Sequence, residues 1–204
     1  MNKKIILIGA GGHAKSCIAL IKSSSKYNIV GLIEENKNKN KKILDYRILG
    51  SKEQLIYFRK KGVKYCGIAI GQIKSPVIRI SLYNFLKRIG FNIPKIISVR
   101  SSCSNYSKIG DGTYVFDNTY IGPEALIGRN CIINTGSIIE HDCEVGDNCH
   151  ISIGAILNGG ATVKKNTFIG SGTYIKQGVV VGENCIIGMG LVIKKDVPNN
   201  KILK

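Results

Sequence analysis

An aliphatic residue recurs at every sixth position through the second half of this chain. From Ile109 to Pro198 the sequence divides into fifteen consecutive hexapeptides without an insertion, and each opens with Ile, Val or Leu. The openers are Ile109, Val115, Ile121, Ile127, Ile133, Ile139, Val145, Ile151, Leu157, Val163, Ile169, Ile175, Val181, Ile187 and Ile193. A period of six fits neither an amphipathic helix nor an alternating strand. It is typical of a parallel β-helix, in which three hexapeptides complete one triangular coil.

The residues that recur every eighteen positions, one coil apart, define three corners with different chemistry. The asparagine corner contains Gly112, Asn130, Asn148, Asn166 and Asn184, and the glycine corner contains Asn118, Gly136, Gly154, Gly172 and Gly190. The histidine corner contains Glu124, Asp142, Gly160, Gly178 and Asp196, preceded by Pro123, His141, Gly159, Gln177 and Lys195. Asn and Gly tolerate the positive φ of a tight corner. His141 and Asp142 interrupt that pattern, which makes their corner a candidate for chemistry.

The first hundred residues follow a different pattern, in which short apolar runs alternate with helical periodicity. Strands are predicted at Ile5 to Ile8, Ile29 to Ile33, Tyr65 to Ile70 and Ile93 to Val99, and helices at Ala14 to Ser24 and Val77 to Ile89. This order indicates a small Rossmann-like parallel α/β domain over residues 1–100, followed by the β-helix over residues 101–204.

A glycine-rich turn follows the first predicted strand. Gly9, Gly11 and Ala14 match the relaxed dinucleotide pattern G-x-G-x-x-A, and Glu34 and Glu35 end the second strand, where such folds place a ribose-binding acid. Fewer than a hundred residues leave little room for a dinucleotide, so we expect a single nucleotide with its phosphates near the following helix. A simple tight turn would account for the glycines equally well.

The positive charge of the chain is confined to the first part. Through Arg100 there are 21 Lys and Arg against 4 Asp and Glu, and the remainder has 9 of each. Such a charge could attract nucleic acid, an anionic membrane or a small polyanion, or could be solvated lysine. The sequence has neither a nucleic-acid motif nor an apolar run that would span a bilayer, so we expect no nucleic-acid or membrane partner. Asn36 to Lys42 is expected to form a polar surface loop.

Four of the seven cysteines occupy the fifth position of a hexapeptide, where a small inward-facing side chain is expected. They are Cys131, Cys143, Cys149 and Cys185. Because the chain has no CxxC pair and no secretion signal, we expect no metal site, free thiols and a cytoplasmic location.

Three motifs carry a resemblance over nearly the whole chain: GAGGHAK at Gly9 to Lys15, AIGQ at Ala69 to Gln72, and NTGSIIEHDCEVGDNCHISIGA at Asn134 to Ala155. Together they resemble the sialic-acid O-acetyltransferase and bacillosamine-type N-acetyltransferase family of bacterial sugar acyltransferases. The resemblance implies an α/β domain that binds a nucleotide-linked sugar and a left-handed β-helix. It also implies a homotrimer with acetyl-coenzyme A in the clefts between subunits.

The same resemblance assigns roles to individual residues. His141 matches the family's catalytic histidine, Asp142 its neighbouring carboxylate, often Glu in the family, and His150 a second histidine near the thioester. A neutral imidazole with a pKa of about 6.5 can accept the proton of an attacking amine or hydroxyl. The carboxylate can fix its tautomer and stabilise the imidazolium. The alternatives without a catalytic or binding role are an exposed polar residue at a corner for His141 and core packing for His150.

We expect the remaining site residues in two sets. The substrate-binding residues are Gly12, His13, Glu34, Glu35, Gly71 and Asn134. The coenzyme-binding residues are His150, Gly154, Gly159, Ser171, Gly172, Met189 and Gly190. The backbone amide of Gly159, one coil beyond His141, is the candidate oxyanion donor. His13 would approach the phosphates, or would alternatively be a surface histidine at a helix start.

The primary hypothesis is a metal-independent transfer from acetyl-coenzyme A to the 4-amino group of a UDP- or GDP-linked amino-deoxy sugar. An O-acetyltransferase of sialic or a related nonulosonic acid is the alternative, and a non-enzymatic trimeric scaffold for polyanions is a third hypothesis. The family usually continues with a Gly-x-Pro-Ala-Lys segment, whereas this sequence ends at Lys204 shortly after Pro198. We therefore expect weaker coenzyme affinity than in a version extended through that segment.

Overall fold

The computed structural model describes residues 3–35 and 42–204, so residues 36–41 of the expected polar loop lie outside the described residues. The α/β domain contains β1 (Lys3–Ile8), α1 (Gly12–Ser24), β2 (Tyr27–Ile33), β3 (Lys42–Ile43), β4 (Tyr46–Gly50), α2 (Gln54–Lys60), β5 (Tyr65–Ile68) and α3 (Val77–Arg88). The sheet order is β3-β4-β2-β1-β5. All neighbouring strands in it are parallel except β3 and β4. The Rossmann-like prediction is confirmed.

The second part consists of two-residue strands separated by short turns. They are β6 (Ile96–Ile97), β7 (Ser102–Cys103), β8 (Lys108–Ile109), β9 (Tyr114–Val115), β10 (Tyr120–Ile121), β11 (Leu126–Ile127), β12 (Ile132–Ile133), β13 (Ile138–Ile139), β14 (Glu144–Val145), β15 (His150–Ile151), β16 (Ile156–Leu157), β17 (Thr162–Val163), β18 (Phe168–Ile169), β19 (Tyr174–Ile175), β20 (Val180–Val181), β21 (Ile186–Ile187), β22 (Val192–Ile193) and β23 (Ile202–Leu203). Each strand pairs in parallel with the strand one coil away. The predicted β-helix of hexapeptide repeats is thereby confirmed, and its coils are consistent with the left-handed form.

The strands stack into three sheets, which form the faces of a triangular prism. We call them the docked face (β6, β9, β12, β15, β18, β21, β23), the open face (β7, β10, β13, β16, β19, β22) and the polar face (β8, β11, β14, β17, β20). The aliphatic openers point into the prism, and most are fully buried together with the small residues at the fifth positions. Burial of these side chains, roughly 25 cal/mol per Å² of apolar surface, is the main stabilising contribution to the coil.

All three corners turn through the left-handed region, as their composition predicts, except at Asp196 in the last turn. Asn130 has a φ of 57°, Gly154 of 64° and Asp142 of 59°. An L-residue pays about 1–2 kcal/mol for this conformation, which Asn and Asp tolerate better than most. The asparagine corner recovers part of that cost through a ladder of side-chain amides. Asn130, Asn148 and Asn166 each donate through Nδ2 to Oδ1 of the next asparagine, at 2.8, 3.2 and 3.1 Å.

The coil begins earlier than its aliphatic openers indicate. β6 and β7 already occupy coil positions, with Ile97 and Cys103 packed against the core. The sequence missed this turn because Cys103 breaks the run of Ile, Val and Leu. The predicted strand from Ile93 to Val99 is reduced to Ile96–Ile97 and joins the docked face instead of the α/β sheet. The boundary between residues 100 and 101 stays a prediction.

Three short elements of the α/β domain were not predicted: β3, β4 and α2. They span two, five and seven residues, too few for a clear hydrophobic period. The predicted helices and the first strands lie within a few residues of their observed bounds.

The α/β domain packs against the docked face and the asparagine corner. Tyr114, Phe116 and Ile132 of the coil belong to the same apolar cluster as β1 and α1. Fully buried Arg79 of α3 donates to Ile68 O at 3.2 Å and Ile70 O at 2.7 Å. It also donates to Asn130 O at 3.2 Å and Asn130 Oδ1 at 2.9 Å. One guanidinium therefore joins the end of β5 to the start of the asparagine ladder.

Within the described ranges, no helix combines the length and apolar character that crossing a bilayer would need.

Candidate active site

A cavity of about 500 Å³ lies at the carboxyl ends of β1, β2 and β5. The glycine-rich turn, the start of α1 and the ends of the strands form its walls. Five of the six expected substrate residues line it: Gly12, His13, Glu34, Glu35 and Gly71. An alanine-sized group at Gly11 or Gly12 would meet nothing within 4 Å, so the turn presents uncovered backbone at the start of α1. Such a helix start favours a phosphate.

Glu34 organises the turn from within the cavity. Its Oε2 accepts a hydrogen bond from Ala10 N at 3.0 Å, and its Oε1 accepts one from Glu35 N at 3.1 Å. Both carboxylate oxygens therefore hold backbone amides, which fixes the turn next to β2. Glu35 is exposed and lies 3.9 Å from Lys52 Nζ, so its carboxylate is the more accessible of the two.

His13 lies between the cavity and the coil. Its ring centroid is 5.6 Å from that of Phe116, and its Cβ is next to Gly71. Burial, with smaller contributions from the positive charge of Arg79 and from His150, lowers the pKa of His13 to about 4. His13 is therefore neutral near pH 7. Phe116 lies two residues before Asn118, the first residue of the glycine corner, so His13 links the cavity to this part of the coil.

The histidine corner holds a preorganised pair. His141 Nδ1 donates to Asp142 Oδ2 at 2.8 Å, which leaves the Nε2 lone pair available on a side chain that is 57% exposed. The His141 ring lies directly on Gly159. A Cβ added to Gly159 would be 2.5 Å from His141 Cε1 and 2.6 Å from Nε2. Since Pro123, Gln177 and Lys195 occupy the equivalent position in other coils, the backbone there accepts side chains. Gly159 is therefore needed because of the imidazole above it.

The glycine corner forms an edge of the coil that is bare of side chains at its glycines. Gly154, Gly172 and Gly190 stack with φ values of 64°, 64° and 71°, and a Cβ on any of them would contact nothing within 4 Å. Next to them, Ser171 Oγ and Ser152 Oγ lie 2.9 Å apart, and Met189 is 78% exposed. Five of the expected coenzyme residues thus share one edge, whereas Gly159 lies under His141 at the histidine corner.

His150 and Asn134 lie apart from both sets. His150 is only 6% exposed and donates through Nδ1 to Gln72 O, while its Nε2 lies 3.3 Å from Asn134 Nδ2. Burial lowers the pKa of His150 to about 4, so it is neutral and its Nε2 accepts from Asn134. In this single chain His150 is covered by the α/β domain, and its role toward the coenzyme stays a prediction.

The three corners lie at different edges of the prism, so they are separated within one chain. The asparagine corner joins the polar and docked faces, the glycine corner joins the docked and open faces, and the histidine corner joins the open and polar faces. The histidine corner is therefore the prism edge opposite the docked face, where the nucleotide cavity lies. The open face between the glycine and histidine corners carries the outward apolar side chains Tyr120, Ile138, Ile156, Tyr174 and Val192.

Sequence reasoning missed Arg79 and Gln72 as residues that position the cavity. Gln72 Nε2 donates to Asn148 O at 2.8 Å, and its backbone oxygen accepts from His150. Gln72 lies within the AIGQ motif, and that motif is the sequence feature that could have identified it. No spacing in the sequence connects Arg79 to Asn130, because the contact joins residues 51 positions apart.

Comparisons with known proteins agree with an α/β domain followed by a coil of hexapeptides. Residues 4–85 match the family model of the PglD N-terminal domain. Residues 106–141, 124–159 and 160–195 match that of the bacterial transferase hexapeptide (six repeats). Curated proteins give no match.

Several solved structures are similar to this chain over nearly its whole length. A histidine-to-asparagine variant of perosamine N-acetyltransferase from Caulobacter crescentus, in complex with CoA and GDP-perosamine, is 26% identical with a TM-score of 0.91. The match covers 98% of this chain and 92% of that chain. The acetyltransferase domain of PglB from Neisseria gonorrhoeae FA1090, in complex with acetyl coenzyme A, is 25% identical with a TM-score of 0.88, covering 99% and 96%. WeeI from Acinetobacter baumannii AYE, 19% identical with a TM-score of 0.63, covers 100% and 97% and shares the fold.

Proposed function

Since the chain belongs to the hexapeptide-repeat sugar acyltransferases, we propose that it transfers acetyl from acetyl-coenzyme A to the 4-amino group of a nucleotide-linked amino-deoxy sugar. The protein is an acyltransferase, and its acyl donor is a coenzyme A thioester. N-acetylation is favoured over O-acetylation because a similar structure is that of an N-acetyltransferase bound to GDP-perosamine.

The His141–Asp142 pair on Gly159 is the observation that carries the proposal. With Nδ1–H held by Asp142, His141 Nε2 accepts a proton from the sugar amine as its nitrogen attacks the thioester carbonyl carbon. The backbone amide of Gly159, which donates to no acceptor among the described residues, stabilises the oxyanion. The tetrahedral intermediate then expels the coenzyme thiolate, which takes up the proton from the imidazolium. No metal takes part in these steps.

The two halves of the site come from different subunits in this proposal. The nucleotide cavity adjoins the docked face, and His141 lies on the opposite edge of the same prism. If three chains pack through their open faces, the glycine corner of one subunit meets the histidine corner of the next. The exposed Tyr174 and Val192, at 48% and 59%, would then be buried. A Tyr174→Lys variant should dissociate a trimer in sedimentation velocity, whereas Glu144→Lys on the polar face should leave it intact.

We assign Gly12, His13, Glu35 and Gly71 to the nucleotide sugar, with Glu34 holding the backbone of the turn beside them. Asn134, which contacts His150 outside this cavity, stays a predicted contact of the acceptor. The glycine corner and Met189 would line the coenzyme. The described cysteines are all free, and six of the seven are buried, in keeping with our placement of the enzyme in the cytoplasm.

The deciding experiment measures release of coenzyme thiol against a panel of sugars. The panel contains UDP- and GDP-linked 4-amino sugars and free and CMP-linked sialic acids. We expect turnover with a nucleotide-linked amino sugar, loss of turnover in His141→Ala, and normal turnover in Lys164→Ala, an exposed residue at the asparagine corner. Turnover with sialic acids alone would favour the O-acetyltransferase, and normal turnover in His141→Ala would refute the assignment of the base.

A further inference from the structure

Among the described residues of the α/β domain, exposed basic side chains gather at the edge away from the nucleotide cavity. The parallel strands place the cavity at their carboxyl ends, and their amino ends form the opposite edge of the sheet. Lys3 begins β1, Lys26 immediately precedes β2 and Lys64 immediately precedes β5. All three side chains are exposed. The strands alone therefore line this amino edge with positive charge.

The helices add to the same edge because they run antiparallel to the strands they connect. Lys22 lies in the last turn of α1, Arg59 and Lys60 in that of α2, and Lys87 and Arg88 in that of α3. Basic residues at a helix C-terminus offset the helix dipole, which accounts for part of the pattern. It does not account for the lysines at the strand starts.

Acidic partners are scarce at the amino edge. Of the basic residues named for it, only Lys22 forms an ion pair in the described part of the chain, with Asp45 at 3.3 Å. At the carboxyl edge, by contrast, the exposed or half-buried charges among the described residues balance. They are Lys15, Lys52 and Lys74 against Glu34, Glu35 and Glu53. Among the described residues, the excess charge of the domain thus lies at the amino edge and not at the nucleotide cavity.

Exposed apolar side chains accompany the basic residues on α2. Ile56 is 47% and Tyr57 is 53% exposed, and Lys61 Nζ lies 5.8 Å from the centre of the Tyr57 ring. An apolar residue and an aromatic ring beside lysines are suited to the boundary between lipid headgroups and acyl chains. Nucleic-acid phosphates would gain nothing from an exposed isoleucine, and lysine outnumbers the forked arginine that base recognition favours.

We propose that the amino edge of the α/β domain docks on an anionic phospholipid surface, with α2 nearest the bilayer and the nucleotide cavity facing away from it. This differs from the sequence-based expectation of no membrane partner, which rested on composition and motifs without the position of the charges. Docking of this kind is peripheral and electrostatic, so it weakens with salt. In a trimer, three such edges would be present on one particle.

Vesicle sedimentation of the full chain tests the proposal. We expect binding at about 0.05 M NaCl to vesicles with about 30% phosphatidylglycerol, little binding to pure phosphatidylcholine, and release at about 0.5 M NaCl. Changing Lys3, Lys26, Lys60 and Lys64 together to Gln should weaken binding about tenfold or more, since each lysine near the surface contributes to attraction. The same variant should keep its acetyl-transfer rate in solution.

Two control variants distinguish binding through the amino edge from binding through net charge alone. Changing Lys108, Lys164, Lys201 and Lys204 of the coil to Gln removes the same charge and should leave vesicle binding within about twofold, because these residues lie outside the amino edge. Ile56→Ser with Tyr57→Ser should weaken binding while the charge is unchanged. Equal loss in both lysine variants, no binding at low salt, or tighter binding to duplex DNA than to the vesicles would each overturn the proposal.

Discussion

Replacing Gly159 by alanine should separate catalysis from stability. The new Cβ would lie 2.5 Å from His141 Cε1, whereas ordinary contact begins at 3.4 Å, so the ring must move by about 0.9 Å. The φ of Gly159 lies outside the left-handed region, so alanine fits the backbone. The exposed His141 side chain can swing into solvent, which keeps the cost to folding small. A displacement of this size is expected to reduce kcat by about 10²-fold with little change in KM.

The measurement compares kcat, KM and the urea midpoint for Gly159→Ala in two backgrounds. In the His141→Ala background the nearest atoms of the clash are absent, so the second substitution should have no further effect on residual transfer or on stability. A near-normal kcat for Gly159→Ala would refute the reasoning. So would an equal stability loss in both backgrounds, since it would place the strain in the coil instead of the imidazole.

Other contacts give further predictions. Arg79→Lys keeps the charge but cannot reach four acceptors, and should lower the free energy of unfolding by about 2–4 kcal/mol in urea titration; an unchanged midpoint would contradict the role of Arg79. Burial depresses the folded-state pKa of His150 to about 4 from 6.5, so its contribution to stability is present above pH 6.5 and lost as pH falls toward 4. Tm should therefore fall over this range, and fall less in His150→Gln. Asn148→Gly, which keeps the positive φ and removes two ladder hydrogen bonds, should cost about 1–2 kcal/mol, and Asn148→Ala more, in thermal unfolding.

Most of the coil could be predicted in detail because its architecture follows from a short sequence repeat. Each aliphatic opener and each Asn or Gly corner occupies the same environment every eighteen residues, so position in the repeat determines burial and φ. The first coil escaped notice only where Cys103 replaces an aliphatic residue. In the α/β domain, β3 and α2 are held by tertiary packing and are too short for a local pattern to reveal them.

The parts of the site that could be predicted are those built from residues adjacent in the sequence or one coil apart. His141, Asp142 and Gly159 are such neighbours, and the cavity residues follow from the strand ends of a parallel sheet. The burial of His150 beneath Gln72 and the use of both Glu34 oxygens by backbone amides were not predictable. They depend on how the α/β domain packs against the coil and how the glycine-rich turn closes, and no spacing encodes either.

A chain this repetitive has many ways to misalign. Sliding the coil by eighteen residues would return every aliphatic opener to an inward position and nearly every corner to a tolerant residue, at little cost in buried surface. The contacts of Arg79 with Asn130 and of Gln72 with Asn148 occur once in the described chain, and so does the fit of His141 over a glycine. Residues that fix the α/β domain on the coil and seat the His141 ring thus also penalise the slipped folds, and substitutions at them risk mispairing of the coil.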